Sequence, residues 1–321
     1  MTAARRLRQL PPGLLLALSA VALAAGVAVA WRPLVRHGRQ LAEALGAADP
    51  ALAALAVAAA AAAVISTALA WHAAACTLGS RAGAVEGTSR YALGCLAPPK
   101  CGNPVRIALL ARTLPGRRSL WAMTGVCGGV SVARMLPLSL VMVAAAATNA
   151  VPVWLGLALA ALTLALLAIA LAACRRAHGE RLSRLLAGFA LLAASRRTFS
   201  KALVWLSLAT LAKVAVALAT AAAIGIGSPE EAALVLVPSL AVGRMLPFFG
   251  VAAGTLAVGT SGGVGAGSAL ELAVAVSAVE GLGGILCGVA GGCQLVRLAH
   301  LRDWRGSLGA LRQLVAARAT S

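Results

Sequence analysis

Six long apolar runs constrain this chain more than any other feature of its sequence, because each can cross a bilayer as a helix. A hydrocarbon core about 30 Å thick needs about 20 apolar residues in a helix. The chain has 321 residues, of which 61% are hydrophobic and 12% charged. The sequence therefore predicts an all-α polytopic membrane protein without a soluble catalytic domain. The runs cover residues 13–31, 51–78, 119–147, 151–173, 202–226 and 267–296.

Two further apolar segments, 84–111 and 230–258, are interrupted near their centres. Each carries a Pro-x-x-Gly sequence, Pro99 to Gly102 in the first and Pro247 to Gly250 in the second. Proline removes a backbone donor and glycine loosens a helix, so polar backbone groups are freed at both breaks. Inside a membrane, such groups persist only where protein buries them or a wet cavity hydrates them. Paired breaks in the two halves of a chain are typical of a transport site.

Basic residues set the expected orientation. Arginines cluster before 13–31, before 119–147, ahead of 202–226 and after 267–296. Positively charged loops stay in the cytoplasm, so we expect both termini there and Glu230 outside. This pattern, with attraction to anionic lipid, accounts for the net charge of +19 without nucleic acid. The excess of arginine over lysine is typical of a GC-rich bacterial genome, which predicts a bacterial plasma (inner) membrane location.

The same orientation predicts how the interrupted segments meet the membrane. Segment 84–111 would enter and leave from the cytoplasmic face, and segment 230–258 from the outer face. Two re-entrant hairpins of this kind, with tips near the midplane, would form an inverted repeat. The alternative is a cytoplasmic amphipathic loop for the first segment and a kinked span for the second.

The whole chain then forms one transmembrane domain. Its first run also fits a signal peptide, but its length favours a retained helix. The expected parts are a first span with an outer loop (1–49), a first repeat (50–147), a fourth span with a cytoplasmic amphipathic helix (151–198), a second repeat (199–297) and a basic cytoplasmic tail (298–321).

Four charged residues are expected near the middle of the membrane, where charge is expensive and usually functional. Lys213 and Glu280 lie at similar depths in their spans, while Arg106 and Arg244 flank the two Pro-x-x-Gly breaks. Together they would give a net positive, partly wet region suited to an anionic headgroup such as a phosphate. The alternative is a packing ion pair between Lys213 and Glu280, with the arginines extending to an interface.

Catalytic and metal-binding motifs do not stand out. The seven cysteines are scattered without a Cys-x-x-Cys or Cys/His cluster, and the four histidines are isolated. We therefore expect no metal and no cofactor.

The broken segments resemble those of a known family. Residues 99–106, Pro-Lys-Cys-Gly-Asn-Pro-Val-Arg, are similar to the Pro-x-x-Gly-acid-x-x-Arg signature of the lysylphosphatidylglycerol synthase transmembrane, or flippase-like, family. Trp71 and the later Leu246 to Gly250 fit the same pattern. Asn103 departs from it, because the family has an acid there, and the second motif lacks the usual Pro-Gly-Gly and following Glu. Proton coupling through those acids is therefore in question for this chain.

The resemblance implies a multi-spanning protein that moves or binds lipids. We expect translocation of an anionic lipid or lipid-linked intermediate, with membrane lipids as partners and the Pro-x-x-Gly residues, Asn103 and the four charges as substrate-binding residues. One alternative is a lipid-modifying transferase, for which Glu86 and Glu180 are the membrane-face acids. Another is a scaffold for a partner membrane enzyme. A homo-oligomer is also left open.

Overall fold

The computed structural model describes residues 49–97, 102–114, 119–148, 194–243 and 266–319, with scattered helical residues between 153 and 190. Within these ranges the chain is helical and contains no strand. Eight α-helices have bounds there: α1 Pro50–Cys76, α2 Ala84–Leu93, α3 Gly102–Ala111, α4 Ser119–Ala133, α5 Met135–Ala147, α6 Arg196–Ala223, α7 Pro229–Gly243 and α8 Ala266–Ala319. A single 3-10 turn, Gly94–Leu96, follows α2.

In the described part of the chain, four helical stretches are long and apolar enough to cross a membrane, which makes this a membrane protein by length and composition. They are Pro50–Cys76, Leu120–Ala147, Arg196–Ala223 and Glu271–Leu298. These confirm helices at four of the six predicted runs. The run 13–31 lies outside the described residues, and only scattered residues of 151–173 are described, so the count of six spans stays a prediction.

The second of these stretches, Leu120–Ala147, differs from the uninterrupted helix that the sequence predicts. Helix α4 ends at Ala133 and α5 begins at Met135, with Arg134 as a turn residue between them. Pro137 explains the break, because a proline lacks the N–H that would bond to the Ala133 carbonyl four residues earlier. The break falls at the centre of Leu120–Ala147.

Two apolar clusters divide the bundle into halves. The first, called here the α2-side cluster, is formed by one half each of α1 and α6 and by most of α4, together with Tyr91 of α2 and Leu110 of α3. The second, the α7-side cluster, is formed by α5, the other half of α6, α7 and the start of the α8 apolar stretch, with Ala60 of α1. Three of the four apolar stretches, Pro50–Cys76, Leu120–Ala147 and Arg196–Ala223, thus pass from one cluster to the other. Alanine-rich α1 packs along α6, since small side chains let helix backbones approach closely.

Helices α2 and α3 fold back on each other as a helical hairpin, residues 80–113. Its two ends meet, because Ser80 Oγ lies 2.8 Å from Thr113 Oγ1 and the Arg81 N–H donates to the Thr113 carbonyl. Farther along, Arg90 of α2 donates to the Leu109 carbonyl of α3 at 3.3 Å. Segment 84–111 therefore starts and ends at the same level, near the end of α1 at Cys76.

The hairpin packs against glycines of α8. A Cβ added to Gly291 would lie 2.8 Å from the Ser89 carbonyl oxygen, and one added to Gly288 would lie 2.7 Å from Leu96 Cγ. Farther along α8, Gly284 faces Cys95 at 3.7 Å. Residues 89–96 therefore run antiparallel to residues 284–291 of α8. Only glycine lets the two backbones approach this closely.

We expect Gly291→Ala to lower the free energy of unfolding by about 1–3 kcal/mol, because the added methyl would overlap a backbone carbonyl rather than a movable side chain. Gly281→Ala is the matched control, since a Cβ there meets no atom within 4 Å. The control should be neutral or stabilising by up to about 1 kcal/mol, through helix propensity. Denaturant unfolding in detergent micelles measures both, and equal values would contradict close docking of the hairpin.

Candidate functional site

Arg106 lies at the tip of the hairpin and joins its two arms. It extends from the first turns of α3 across to the end of α2, where its guanidinium carbon lies 4.6 Å from the centre of the Tyr91 ring. One terminal nitrogen donates to Cys95 Sγ at 3.1 Å. Gly94 makes room for this crossing, because a Cβ there would lie 2.4 Å from Arg106 Cγ. The arginine is therefore held by the turn that reverses the chain.

The hydrogen bonds of Arg106 leave its charge without a carboxylate. Its other terminal nitrogen donates to Asn103 Oδ1 at 2.9 Å, so within the described residues both acceptors, a carboxamide and a thiol, are neutral. The amide of Asn103 must present its oxygen, since a guanidinium has only donors. In addition, the buried Nε of Arg106 has no hydrogen-bond partner there. A guanidinium in this state is ready to bind an anion.

Tyr91 anchors the tip to the rest of the bundle. Its buried ring packs edge-on against Trp71 of α1, with centroids 5.2 Å apart and planes at 66°. Arg106 covers the same ring, as a cation over an aromatic face. Trp71, which fits the family resemblance, therefore holds in place the tyrosine ring on which Arg106 packs.

The contacts with α8 give the depth of the tip. Cys95 and Leu96 face Gly284 and Gly288, and Gly284 lies at the centre of the apolar stretch Glu271–Leu298. The hairpin therefore reaches about half-way along the spans that surround it. Gly102, the residue that ends the first Pro-x-x-Gly, is buried here at the start of α3.

Lys213 of α6 and Glu280 of α8 form an ion pair, as their predicted depths suggested. Lys213 Nζ lies 3.0 Å from Glu280 Oε1, and the side chains are only 15% and 16% exposed. Glu280 is one helical turn from Gly284, so the pair lies about 6 Å beyond the level of the hairpin tip. The structure thus brings Arg106, Lys213 and Glu280 to neighbouring levels of the bundle.

Arg134 also belongs to this level, and the sequence analysis did not include it among the site residues. It lies at the break between α4 and α5, where Ala133 before it belongs to the α2-side cluster and Met135 after it belongs to the α7-side cluster. The signal was available in the sequence, since Arg134 stands at the centre of a predicted span.

Several predicted site residues lie outside the described residues, namely Pro99, Arg244, Pro247 and Gly250. Of the second interrupted segment, only α7 is described. It packs against α5 and α6 in the α7-side cluster, at the other end of the spans from the base of the hairpin.

Glu86, a candidate acid for a transferase, has a structural partner. The buried Glu86 accepts two hydrogen bonds from Arg90, at 2.8 and 3.2 Å. This pair lies on α2, toward the base of the hairpin and away from Arg106. Glu180 lies outside the described residues. Among the described residues, no group of three His, Cys, Asp or Glu side chains could hold a metal ion.

Comparison with known proteins adds no relative: no family model, curated protein or solved structure matches this chain. The resemblance to the flippase-like family therefore rests on the short motifs alone.

Proposed function

We propose that this protein moves an anionic lipid, or a lipid-linked intermediate with an anionic headgroup, across the membrane. The observation that carries the proposal is the state of Arg106. Its guanidinium lies half-way along the spans and, within the part of the chain that the structure describes, it is bonded to neutral groups and its buried Nε has no hydrogen-bond partner. Uncompensated charge at that depth is costly, and an anionic headgroup would offset this cost with charge-assisted bonds.

The proposal includes a re-entrant role for the hairpin. Its ends meet at one level and its tip reaches the middle of the neighbouring apolar stretch, as expected for a segment that enters and leaves at one face. Helix α7 packs in the opposite half of the bundle, which supports a second re-entrant segment, 230–258, from the other face. Six full spans would surround the two, and the resemblance to the flippase-like family supports the same arrangement.

In this proposal the headgroup crosses along the protein while the acyl chains stay in lipid. The barrier to unassisted crossing is desolvation of the charged headgroup in hydrocarbon. Arg106 would lower that barrier at its highest point by replacing water with guanidinium donors.

Removal of the Arg106 charge tests the function. Arg106→Gln should slow transfer of labelled phosphatidylglycerol in liposomes by about tenfold or more, because it removes a charge-assisted contact worth roughly 1.5–3 kcal/mol. Arg106→Lys should restore part of the rate, since the charge returns without the planar fork. Arg106→Gln should lower the transfer rate of zwitterionic phosphatidylcholine less than that of phosphatidylglycerol.

The control is Arg112→Gln, which removes the same charge from an exposed residue just after α3, at the base of the hairpin. It should transfer lipid at the wild-type rate. If the purified wild-type protein moves no lipid, the proposed function is wrong. It is also wrong if Arg106→Gln transfers lipid at the wild-type rate in liposomes of every fraction of anionic lipid.

The proposed orientation has its own test. Single cysteines introduced as Arg81→Cys and Glu230→Cys in a cysteine-free background report on the base of the hairpin and the start of α7, which are both exposed. A membrane-impermeant maleimide should label position 81 only from the cytoplasmic side and position 230 only from the outside, as the distribution of arginines predicts. Labelling of both from one side would contradict the inverted arrangement.

A further inference from the structure

A histidine and a cysteine form a pair at the end of α1, away from the site around Arg106. His72 Nε2 lies 3.7 Å from Cys76 Sγ, one helical turn farther along, at a hydrogen-bonding distance for sulfur. Gly87 of α2 makes room for the imidazole, because a Cβ there would overlap His72 Nδ1. The side chain of Cys76 is exposed. The pair therefore combines a positioned imidazole with an accessible thiol.

A thiol and an imidazole at this distance suit the roles of nucleophile and base. A free thiol is mostly protonated at neutral pH and becomes a strong nucleophile when it loses its proton. His72 Nε2 accepts that proton in the tautomer that carries the ring proton on Nδ1. Within the described residues, the buried Nδ1 has no hydrogen-bond partner, so no donor there opposes this tautomer. Cys76 is therefore equipped to attack an electrophile.

The position of the pair indicates which electrophile it would meet. Cys76 is the last residue of the apolar stretch Pro50–Cys76, so by length and composition it lies where this span leaves the hydrocarbon. An acyl chain of a lipid-like thioester would enter the leaflet and leave its carbonyl carbon at the membrane surface. The thiol and this carbonyl would then lie at the same level.

Basic side chains at this end of the bundle favour an anionic carrier for the acyl group. The exposed Arg81 follows Cys76 after a short turn. The exposed Lys201 lies near the start of α6, and the next residue, Ala202, packs with Ala75 of α1 in the α2-side cluster. Positive charge of this kind attracts a ligand with several phosphates. Coenzyme A is a carrier with this chemistry.

We propose that Cys76 is a site of S-acylation that takes a long-chain acyl group from an acyl-coenzyme A thioester, with His72 as the base. The thiol proton passes to His72 Nε2 while Sγ bonds to the carbonyl carbon. The bond between that carbon and the sulfur of coenzyme A breaks, and coenzyme A leaves as a thiol with the proton from the imidazolium. One thioester replaces another, so no oxidant is needed. The inference does not depend on lipid transfer.

The test measures acylation of individual cysteines in the purified full-length chain. The protein in detergent micelles is incubated with palmitoyl-coenzyme A at neutral pH, and acylated peptides that neutral hydroxylamine cleaves are identified by mass spectrometry. Cys293 is the matched control thiol, because it is also exposed near the end of a span, Glu271–Leu298, and has no histidine one turn away. We expect Cys76 to react about a hundredfold faster, as is typical of a positioned base.

Variants assign this rate to the pair. Cys76→Ser should abolish the fast reaction, and Cys293→Ser should leave it unchanged. His72→Ala should lower the rate at Cys76 to that of Cys293, and added imidazole should restore part of it. As the pH rises above about 8.5, where a thiol ionises without a base, the wild type and His72→Ala should converge. A purely structural role for His72 would predict neither rescue nor convergence.

A second thioester tests the carrier. Raised salt should slow the reaction with palmitoyl-coenzyme A and leave that with the uncharged thioester of N-acetylcysteamine unchanged, because salt screens the basic residues. Equal salt dependence of the two reactions would refute the preference for an anionic carrier.

Gel filtration reports folding of each variant. If His72→Ala does not fold, the rates of Cys76 and Cys293 in the wild type decide the question. Three outcomes would overturn the inference: equal acylation of these two cysteines in the wild type, a rate at Cys76 that folded His72→Ala leaves unchanged, or a Cys76 that N-ethylmaleimide alkylates but neither thioester acylates.

Discussion

Breaking the Lys213–Glu280 ion pair is expected to destabilise the protein more than any other single charge substitution among the described residues. Its atoms lie 3.0 Å apart and both side chains are mostly buried. Removal of one member leaves the other charge without this partner in a medium of low dielectric constant. Loss of one partner of a buried pair costs about 3–5 kcal/mol. Lys213→Met and Glu280→Gln should each approach this range.

A double-mutant cycle tests whether the two side chains act together. The double variant should lose less stability than the sum of the two single variants, by roughly 1–3 kcal/mol, because it leaves no charge behind. The control Lys201→Met removes a lysine from the exposed start of the same helix and should have little effect. Denaturant unfolding in mixed micelles measures the wild type and all four variants. Strictly additive losses would contradict direct pairing.

Asn103→Asp is expected to slow lipid transfer without lowering the stability of the protein. Asparagine and aspartate have nearly the same shape, and Asn103 Oδ1 already accepts from Arg106 at 2.9 Å. A carboxylate there would form a charge-assisted bond, so stability should stay equal or rise by up to about 1 kcal/mol. The same bond would neutralise the guanidinium. Transfer of anionic lipid should therefore fall by about tenfold, although no contact is removed.

The control for this variant is Gln294→Glu, the same amide-to-carboxylate change near the far end of the apolar stretch of α8. It should transfer lipid at the wild-type rate. In an Arg106→Gln background, Asn103→Asp should have little further effect on transfer, because the charge that it neutralises is already gone. If Asn103→Asp transfers anionic lipid as fast as the wild type, the Arg106 charge is not used in transport.

The position of Asn103 also gives the family resemblance a physical meaning. With an acid at this position, as the flippase-like signature has, Arg106 would carry an internal counter-ion. With asparagine, the same hydrogen bond forms and the positive charge remains. We therefore expect the wild type to bind a more negatively charged headgroup than its Asn103→Asp variant would bind.

Much of the architecture followed from local sequence. Long apolar runs can satisfy their backbone only as helices in hydrocarbon, so four spans could be predicted within a few residues of their ends. Proline and glycine at 98–104 predicted the break of segment 84–111. Distance along a span fixes depth, and for that reason Lys213 and Glu280 could be placed at one level before their contact was seen.

Contacts between distant segments were decided only by the tertiary structure. Hydropathy gives the depth of a residue but not the direction in which it faces, because all helices in a membrane are apolar on most sides. The sequence therefore could not show that Arg106 crosses to Tyr91 and Cys95. Nor could it show that the hairpin packs against Gly284, Gly288 and Gly291, or that Arg134 lies where the two apolar clusters adjoin. These contacts depend on close packing of backbones at glycine and alanine, which pairs residues far apart in the chain.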